Sequence, residues 1–245
     1  MSAPVILITG GSRGIGAATA RLAAQKGYDV ALSYVRDEAS AEKVAADIRA
    51  TGRRAVTIRA NVSVESDVTN MFAAVDAQLG RLSALVVNSG VNGKAYRLDE
   101  APTEQIREVI DVNVMGALFC SREAVRRMST RHGGPGGSIV LMSSRATEYG
   151  SPGEFIWYAA SKGAINCLGV GLAREVGREG IRVNVISPGP IDTAMLNEAR
   201  RKTIRDVVPL GRVGTPEEVA ESALFLLSAA ASFCTGANLA VGGGR

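Results

Sequence analysis

The chain has 245 residues, 46% of them hydrophobic, and a formal net charge of +4. That is enough for one large domain with a buried core, and no apolar run approaches the ~20 residues of a membrane-crossing helix. Aromatics make up only 4% and the basic residues are scattered, which argues against a nucleic-acid face.

Pro4 to Thr9 is short, β-branched and apolar, the pattern of a strand buried on both faces. No basic leader precedes it, so the expected location is the cytoplasm. Gly10-Gly-Ser-Arg-Gly-Ile-Gly16 follows, and then an Ala-rich helical stretch from Ala17 to Lys26. Glycines between a strand and a helix let the backbone approach a pyrophosphate, whose charge the helix N-terminus favours. Asp29 to Val35 is a second strand pattern, followed by Arg36, with no acid until Asp37. An acid at the strand end suits the ribose hydroxyls of NAD. Arg36, with Arg13 from the glycine turn, suits a 2′-phosphate instead, because a guanidinium binds it bidentately. The expected cofactor is NADP(H) in preference to NAD(H).

Helices are expected over Glu38 to Thr51 and Glu65 to Leu79, and strands over Arg54 to Val62 and Ala84 to Asn88, the last ending in Asn88-Ser89-Gly90. Strands alternating with helices predict βαβ units, a parallel sheet and ligands beyond the strands' carboxyl ends. Thr103 to Met128 reads as one long helix with Asn113 near its middle. An Asn among apolar residues needs a buried partner, and its role is structural or functional with equal warrant. The lone histidine, His132, falls in an exposed glycine-rich loop before the strand Ser138 to Met142 and the pair Ser143-Ser144.

Arg145 to Trp157 is aperiodic and reads as a loop delivering the chain to Tyr158-Ala-Ala-Ser-Lys162, at the start of a helix reaching about Val176. Tyr and Lys four residues apart share a helical face. An ammonium beside a phenol lowers its pKa and makes it a proton donor and acceptor near neutral pH. After the strand Ile181 to Ile186, Ser187-Pro-Gly-Pro190 is expected to end regular structure. Residues 190–214 carry Met195, Leu196, Ile204, Val207, Val208 and Leu210 at amphipathic spacing, a candidate substrate lid. Arg200-Arg201-Lys202, within it, reads as a solvated helix face that also suits an anionic substrate. Thr215-Pro-Glu-Glu218 starts a helix to about Ala230, and Asn238 to Val241 is a last strand. Cys120, Cys167 and Cys234 are far apart in apolar surroundings, so small buried hydrophobes and no metal site are expected. With no linker or repeat, residues 1–245 read as a single domain.

Thr9-Gly-Gly-Ser-Arg-Gly-Ile-Gly16, Asn88-Ser-Gly90, Asn113, Ser144, Tyr158-x-x-x-Lys162 and Pro188-Gly189 together resemble the short-chain dehydrogenase/reductase family over essentially the whole chain. The resemblance implies a Rossmann-type, doubly wound α/β fold with seven parallel strands in the order 3-2-1-4-5-6-7. It implies hydride transfer between nicotinamide C4 and a carbonyl or alcohol carbon. Tyr158 is then the general acid in reduction and base in oxidation, with Lys162 lowering its pKa and holding the nicotinamide ribose. Ser144 holds the substrate oxygen, and Asn113 kinks its helix and holds a water that links Lys162 to solvent. For the cofactor, the resemblance implies Gly10, Ser12, Arg13, Gly14, Ile15 and Gly16 at the phosphates, and Tyr34 and Arg36 at the adenosine end. Asn61 and Val62 belong by the adenine, Asn88, Ser89 and Gly90 by the ribose, and Pro188, Gly189, Ile191 and Thr193 by the nicotinamide.

Three positions depart from the family pattern. Ser89 stands where many members have Ala, and Asn61 where an Asp is frequent, keeping an acceptor while losing the charge. The loop before Tyr158 is about a residue longer than usual, which leaves Ser143 as an alternative to Ser144. The expected substrate is a small carbonyl or secondary alcohol. A 3-oxoacyl carrier-protein reductase and a sugar dehydrogenase are the alternatives inside the family. For the former, Arg127, Arg131 and Arg178 are candidates to meet an acidic acyl carrier protein. A non-catalytic dinucleotide-binding regulator is the alternative outside catalysis, and the family also implies a homotetramer, with Ala220 to Val241 as the contacting segment.

Overall fold

The computed structural model describes residues 3–196, 204 and 206–245. Seven parallel strands form one sheet in the order β3-β2-β1-β4-β5-β6-β7. They are β1 (Val5–Ile8), β2 (Asp29–Tyr34), β3 (Ala55–Arg59), β4 (Leu82–Val87), β5 (Gly137–Met142), β6 (Ile181–Pro188) and β7 (Asn238–Val241). The two central strands β1 and β4 are paired Ile6 to Ala84, Leu7 to Leu85 and Ile8 to Val86. β1 and β2 are buried along their whole length, as strands covered on both faces are; β1 is wholly apolar, and β2 carries Asp29 and Ser33 among its apolar residues.

One face is covered by α1 (Gly14–Gln25), α2 (Glu38–Ala50) and, once the chain has crossed, the later helix Pro216–Leu227; their alanines, Val44, Ile48, Val219 and Leu224 pack on Ile6, Ile8, Val30, Leu32 and Val86. The other face is covered by α3 (Glu65–Gln78), α5 (Gly116–Met128) and α7 (Ile156–Val176), where Phe72, Met71, Met128 and Ile165 meet Leu7, Leu85, Ile139 and Val183. Two shorter helices, α4 (Thr103–Ile110) and α6 (Ala146–Tyr149), flank the carboxyl ends of β4 and β5, and Pro216–Leu227 is α8. α8 opens with the expected capping box, Thr215 accepting from the Glu218 N–H while Glu218 accepts from the Thr215 N–H. At its other end Arg182 of β6 donates to the carbonyls of Leu226, Leu227, Ser228 and Cys234, serving the last turn's carbonyls with one guanidinium.

Several expectations need correction. Thr103 to Met128 is not one uniform helix: Asp111–Met115 is a π-turn inserted between α4 and α5, and it carries Asn113. The stretch from Arg145 to Trp157 contains α6, and α7 starts at Ile156, two residues before Tyr158. Regular structure does not stop at Ser187, because β6 runs on to Pro188, which pairs with Val241. Proline at a strand end loses only an N–H, and its carbonyl still accepts from the Arg145 N–H at 2.9 Å. Of the three cysteines only Cys120 is buried, and burial pushes its thiol up to about 12; Cys167 is exposed and Cys234 partly so. His132 is exposed, in a short 3₁₀ turn. Arg200-Arg201-Lys202 lies outside the described residues, as does part of the 190–214 segment. Among the described residues, no helix is long and apolar enough to cross a membrane, and no three His, Cys, Asp or Glu side chains gather as a metal site.

Candidate active site

The carboxyl ends of β1, β4, β5 and β6 converge on one edge, and each delivers part of a site. Gly10 and Gly14 hold φ of +65° and +51°, open to glycine without strain. A Cβ on Gly16 would lie 2.3 Å from the Gly10 carbonyl oxygen and 2.6 Å from Asn88 Nδ2, so this close turn excludes any side chain. The N-cap residue Arg13 gives no side-chain hydrogen bond to the first turn of α1, and that turn holds no acid. A Cβ-free cradle at a helix N-terminus, with no competing carboxylate, fits a pyrophosphate.

The cradle is braced from β4. The Thr9 hydroxyl, fully buried, accepts from the N–H groups of Asn88 and Ser89 at 3.0 Å each, and Asn88 Nδ2 donates to the carbonyls of Thr9 and Gly10 at 3.0 and 3.1 Å. Asn88 therefore spends its amide on shaping the turn. From β2, the Ser33 hydroxyl accepts from the Gly10 N–H at 3.2 Å. Ser33 is a site residue that the sequence reading missed, and Thr9 entered it only as the first residue of the glycine motif. Both are small hydroxylic residues in apolar strands, a pattern that signals a buried hydrogen-bond duty.

Strand alternation then puts Tyr34 on the other face. Its phenol lies in the core beneath α2, beside Glu38, and burial raises its pKa. The Tyr34 side chain therefore packs in the core. Val62 is likewise a core residue; a Cβ on Gly116 would sit 2.7 Å from Val62 Cγ2. Ile191 is buried in the core and its main chain pairs with Gly214. Asn61 keeps no free acceptor, since its Oδ1 takes hydrogen bonds from the Ser63 N–H and hydroxyl at 3.2 and 2.9 Å. Thr193, by contrast, is brought to the glycine turn: a Cβ on Gly14 would be 3.2 Å from Thr193 Cγ2. Arg13 and Arg36 are both exposed at the end of β2, and Asp37 is engaged as the N-cap of α2, accepting from Ser40 N–H at 3.0 Å, with Arg13 4.0 Å away.

The second half of the site is built by β5 and α7. Ser143 and Ser144 separate cleanly. The Ser143 hydroxyl is buried and donates to the Lys162 carbonyl at 3.0 Å, a bracing contact behind the helix. The Ser144 hydroxyl accepts from the Ala146 N–H at 3.1 Å and lies beside the Tyr158 phenol. Tyr158 is half-buried, and burial raises its pKa, while the adjacent Ser144 hydroxyl pulls it back down. Lys162 Nζ is buried, donates to the Met142 carbonyl at 2.8 Å, and lies 5.8 Å from the centre of the Tyr158 ring. Burial lowers its own pKa to about 8. In the chain by itself desolvation is the dominant influence on the phenol, while the Lys162 ammonium lies near the ring and donates to the Met142 carbonyl.

Asn113 sits 2% exposed at the centre of the π-turn. Its Oδ1 accepts from the Val91 N–H, and its Nδ2 donates to the Val91 carbonyl and the Ser161 hydroxyl, all at 2.9 Å. Ser161, another residue missed in the sequence, passes the contact on to the Tyr158 carbonyl at 2.7 Å. A π-turn widens the helix by one residue and turns this side chain inward, which regular α geometry would not do. A Cβ on Gly90 would lie 3.2 Å from Lys162 Nζ and 3.3 Å from Asn113 Oδ1, so glycine here lets the loop after β4, the π-turn and α7 approach closely.

A doubly wound parallel sheet with a glycine cradle at β1 and a Ser-Tyr-Lys cluster at β5 and α7 defines a dinucleotide-dependent oxidoreductase. A family model described as enoyl-(acyl carrier protein) reductase matches residues 10–245. The chain is 43% identical to the uncharacterized oxidoreductase YgfF of Escherichia coli (strain K12), over 98% of this chain and 99% of that one. The structure resembles a short-chain dehydrogenase from Burkholderia cenocepacia J2315 in complex with NADP, with a TM-score of 0.93 and 34% identity over 99% of this chain and 98% of that one. It also resembles 3-ketoacyl-(acyl-carrier-protein) reductase from Brucella melitensis complexed with NADH, with a TM-score of 0.93 and 32% identity over 100% and 98% of the two chains. The chain belongs to the short-chain dehydrogenase/reductase family and is an oxidoreductase of that type.

Proposed function

We propose that this protein is an NADP(H)-dependent reductase or dehydrogenase of a small carbonyl or secondary alcohol, acting in the cytoplasm, with Tyr158 as its proton donor and acceptor. The observation that carries the proposal is the cluster in which the Ser144 hydroxyl and the buried Lys162 ammonium flank the half-buried Tyr158 phenol. The glycine cradle would hold the pyrophosphate, and Thr193, Pro188 and Gly189 would border the nicotinamide end. When bound, the nicotinamide supplies or takes the hydride at the reacting carbon.

The chain's own residues handle the proton and the oxygen. Ser144 holds the substrate oxygen and directs its charge toward the phenol. Tyr158, its phenol pKa raised by burial, is protonated at neutral pH and is ready to donate in the reductive direction. Lys162, with a pKa brought down to about 8, is poised to exchange a proton near physiological pH and to favour the phenolate once it forms. Asn113 holds the Val91 turn and, through Ser161, the first turn of α7 in place. The water relay beyond Lys162 is part of the same proposal.

NADP is favoured over NAD by Arg13 and Arg36, and by the engagement of Asp37 as a helix cap instead of as a ribose acceptor. The relatives bind either dinucleotide, one solved with NADP and one with NADH. Docking of an acyl carrier protein through Arg127, Arg131 and Arg178 is not favoured. Arg127 is paired with Asp76 and Glu123, and all three arginines lie near the starts of β5 and β6, at the opposite edge from Ser144 and Tyr158. Exposed Phe225, Phe233 and Leu239 on α8, the turn after it and β7 support a homotetramer through this edge, which sedimentation as a monomer would refute. The catalytic reading is tested by following NADPH oxidation with a panel of small ketones, aldehydes and 3-oxoacyl thioesters. Turnover of at least one is expected; tight NADPH binding without turnover of any would favour a regulator.

A further inference from the structure

The residue after Ser144 makes contacts that the proposed chemistry does not use. Arg145 is only 20% exposed along its side chain. Its N–H donates to the Pro188 carbonyl at 2.9 Å, its Nε donates to the Arg245 carbonyl oxygen at 2.7 Å, and its Nη1 pairs with Glu148 of α6. The Arg245 guanidinium in turn lies 5.2 Å from the centre of the Tyr149 ring, also on α6. Residues 242–245 thus clasp the turn that starts at Ser144 from its far side.

The same four residues are tied to the rest of the cleft. A Cβ on Gly189 would lie 2.6 Å from Gly242 Cα, and Gly189 N–H donates to the Val241 carbonyl at 2.9 Å. The Gly243 carbonyl accepts from the Leu210 N–H at 3.1 Å. Gly243 and Gly244 hold φ of +65° and +96°, and Cβ atoms there would press Val208 Cγ1 and Pro209 Cγ at 2.8 Å each. Only glycines allow this strap to pass between the Ser144 turn and residues 208–210.

Resting on the assignment of Ser144 to the substrate oxygen, we infer that Arg145, held by the Gly242–Arg245 strap, is a positioning residue that fixes the Ser144 hydroxyl beside Tyr158. The Ser144 hydroxyl meets the Ala146 N–H and the Tyr158 phenol, and its carbonyl meets the Thr147 hydroxyl at 3.0 Å, so the tie from this turn to the strap runs through Arg145. Misplacing a hydroxyl by about 1 Å costs up to ~100-fold in rate. Loss of the guanidinium frees the turn to shift by that much while the cradle at β1 is untouched.

The test uses Arg145→Ala, Arg145→Lys and Gly243→Ala in the full chain. Hydrogen exchange at residues 144–149 and NADPH affinity by fluorescence titration are measured for each, with turnover of ethyl 3-oxobutanoate where the wild type accepts it. Expected are faster exchange at 144–149 and a kcat reduced ~10-fold or more in Arg145→Ala and in Gly243→Ala, with NADPH affinity within about twofold of wild type. Arg145→Lys should recover part of the loss. Unchanged exchange and kcat in both alanine variants would overturn the inference, as would an NADPH affinity that falls in parallel with kcat. If the wild type turns over no carbonyl, the proposed function fails, but the exchange data alone still decide whether the strap holds the turn.

Discussion

Replacing Lys162 with methionine separates what the ammonium does for chemistry from what it costs the fold. The side chain is 4% exposed and has one hydrogen bond, to the Met142 carbonyl, and burial brings its pKa from 10.5 to about 8. That fall corresponds to about 3 kcal/mol against the charged form. The folded state gives up this proton near pH 8 and the unfolded state near 10.5, so between those values the unfolded chain binds more protons. Stability associated with Lys162 therefore rises with pH through this window and is lost as pH falls through about 8. Methionine, similar in length and uncharged, removes the dependence. At pH 7 Lys162→Met should be more stable than wild type by roughly 1–2 kcal/mol, after allowing about 1 kcal/mol for the lost hydrogen bond. By pH 9.5 the advantage should have shrunk by about 2 kcal/mol. Urea midpoints of the two proteins across pH 7 to 9.5 measure this directly, because all other groups titrate in common. Parallel curves, or a variant less stable at pH 7 by several kcal/mol, would refute the reasoning.

The remaining predictions concern the cofactor end, the far edge of the sheet and the pH dependence of the reaction. Arg36→Asp should weaken NADPH binding at least tenfold while changing NADH binding little, as measured by titration, whereas equal losses would remove the 2′-phosphate argument. Asp29, 3% exposed in its side chain, is held by Arg53 and Arg54 at 2.5 and 2.7 Å, and its carboxyl stays below the usual range despite burial because Arg54 and Arg53 donate to it. Asp29→Ala should cost about 1–2 kcal/mol in urea unfolding, since the Arg54 N–H and the Arg53 guanidinium lose their acceptor while the Arg54 guanidinium keeps the Gln78 and Leu79 carbonyls. Because burial raises the Tyr158 pKa, alcohol oxidation should accelerate with rising pH and carbonyl reduction should not; the opposite trends in a pH–rate profile would reassign the proton donor.

Much of the fold was legible because its signals are local. Unbroken apolar runs at Val5–Ile8 and Ile139–Met142, glycines between β1 and α1, and Thr215-Pro216 before α8 each report on a few neighbouring residues. The strand order came from resemblance, not from the residues alone, and it holds. What was illegible depends on distant partners. Asn113 reads as a poor helix residue, but the π-turn that accommodates it exists because Val91 and Ser161 lie opposite. Tyr34, Val62 and Ile191 are expected at the cofactor from the family resemblance alone, and the packing of their side chains in the core is not legible from it. Ser143 and Ser144 look alike in sequence; only the turn of the chain at the end of β5 sends one to the Lys162 carbonyl and the other to Tyr158. The strap at residues 242–245 carries no motif, and its glycines acquire meaning only against Val208, Pro209 and Arg145.

The central claim is that the Tyr158 phenol carries the proton, and Tyr158→Phe removes that one oxygen while keeping the ring packed. With a carbonyl that the wild type reduces, the variant should bind NADPH as tightly and lose ~1,000-fold or more in kcat, within the ~10²–10⁴ expected of a general acid. A Tyr158→Phe enzyme that reduces the same carbonyl at the wild-type rate would contradict the account.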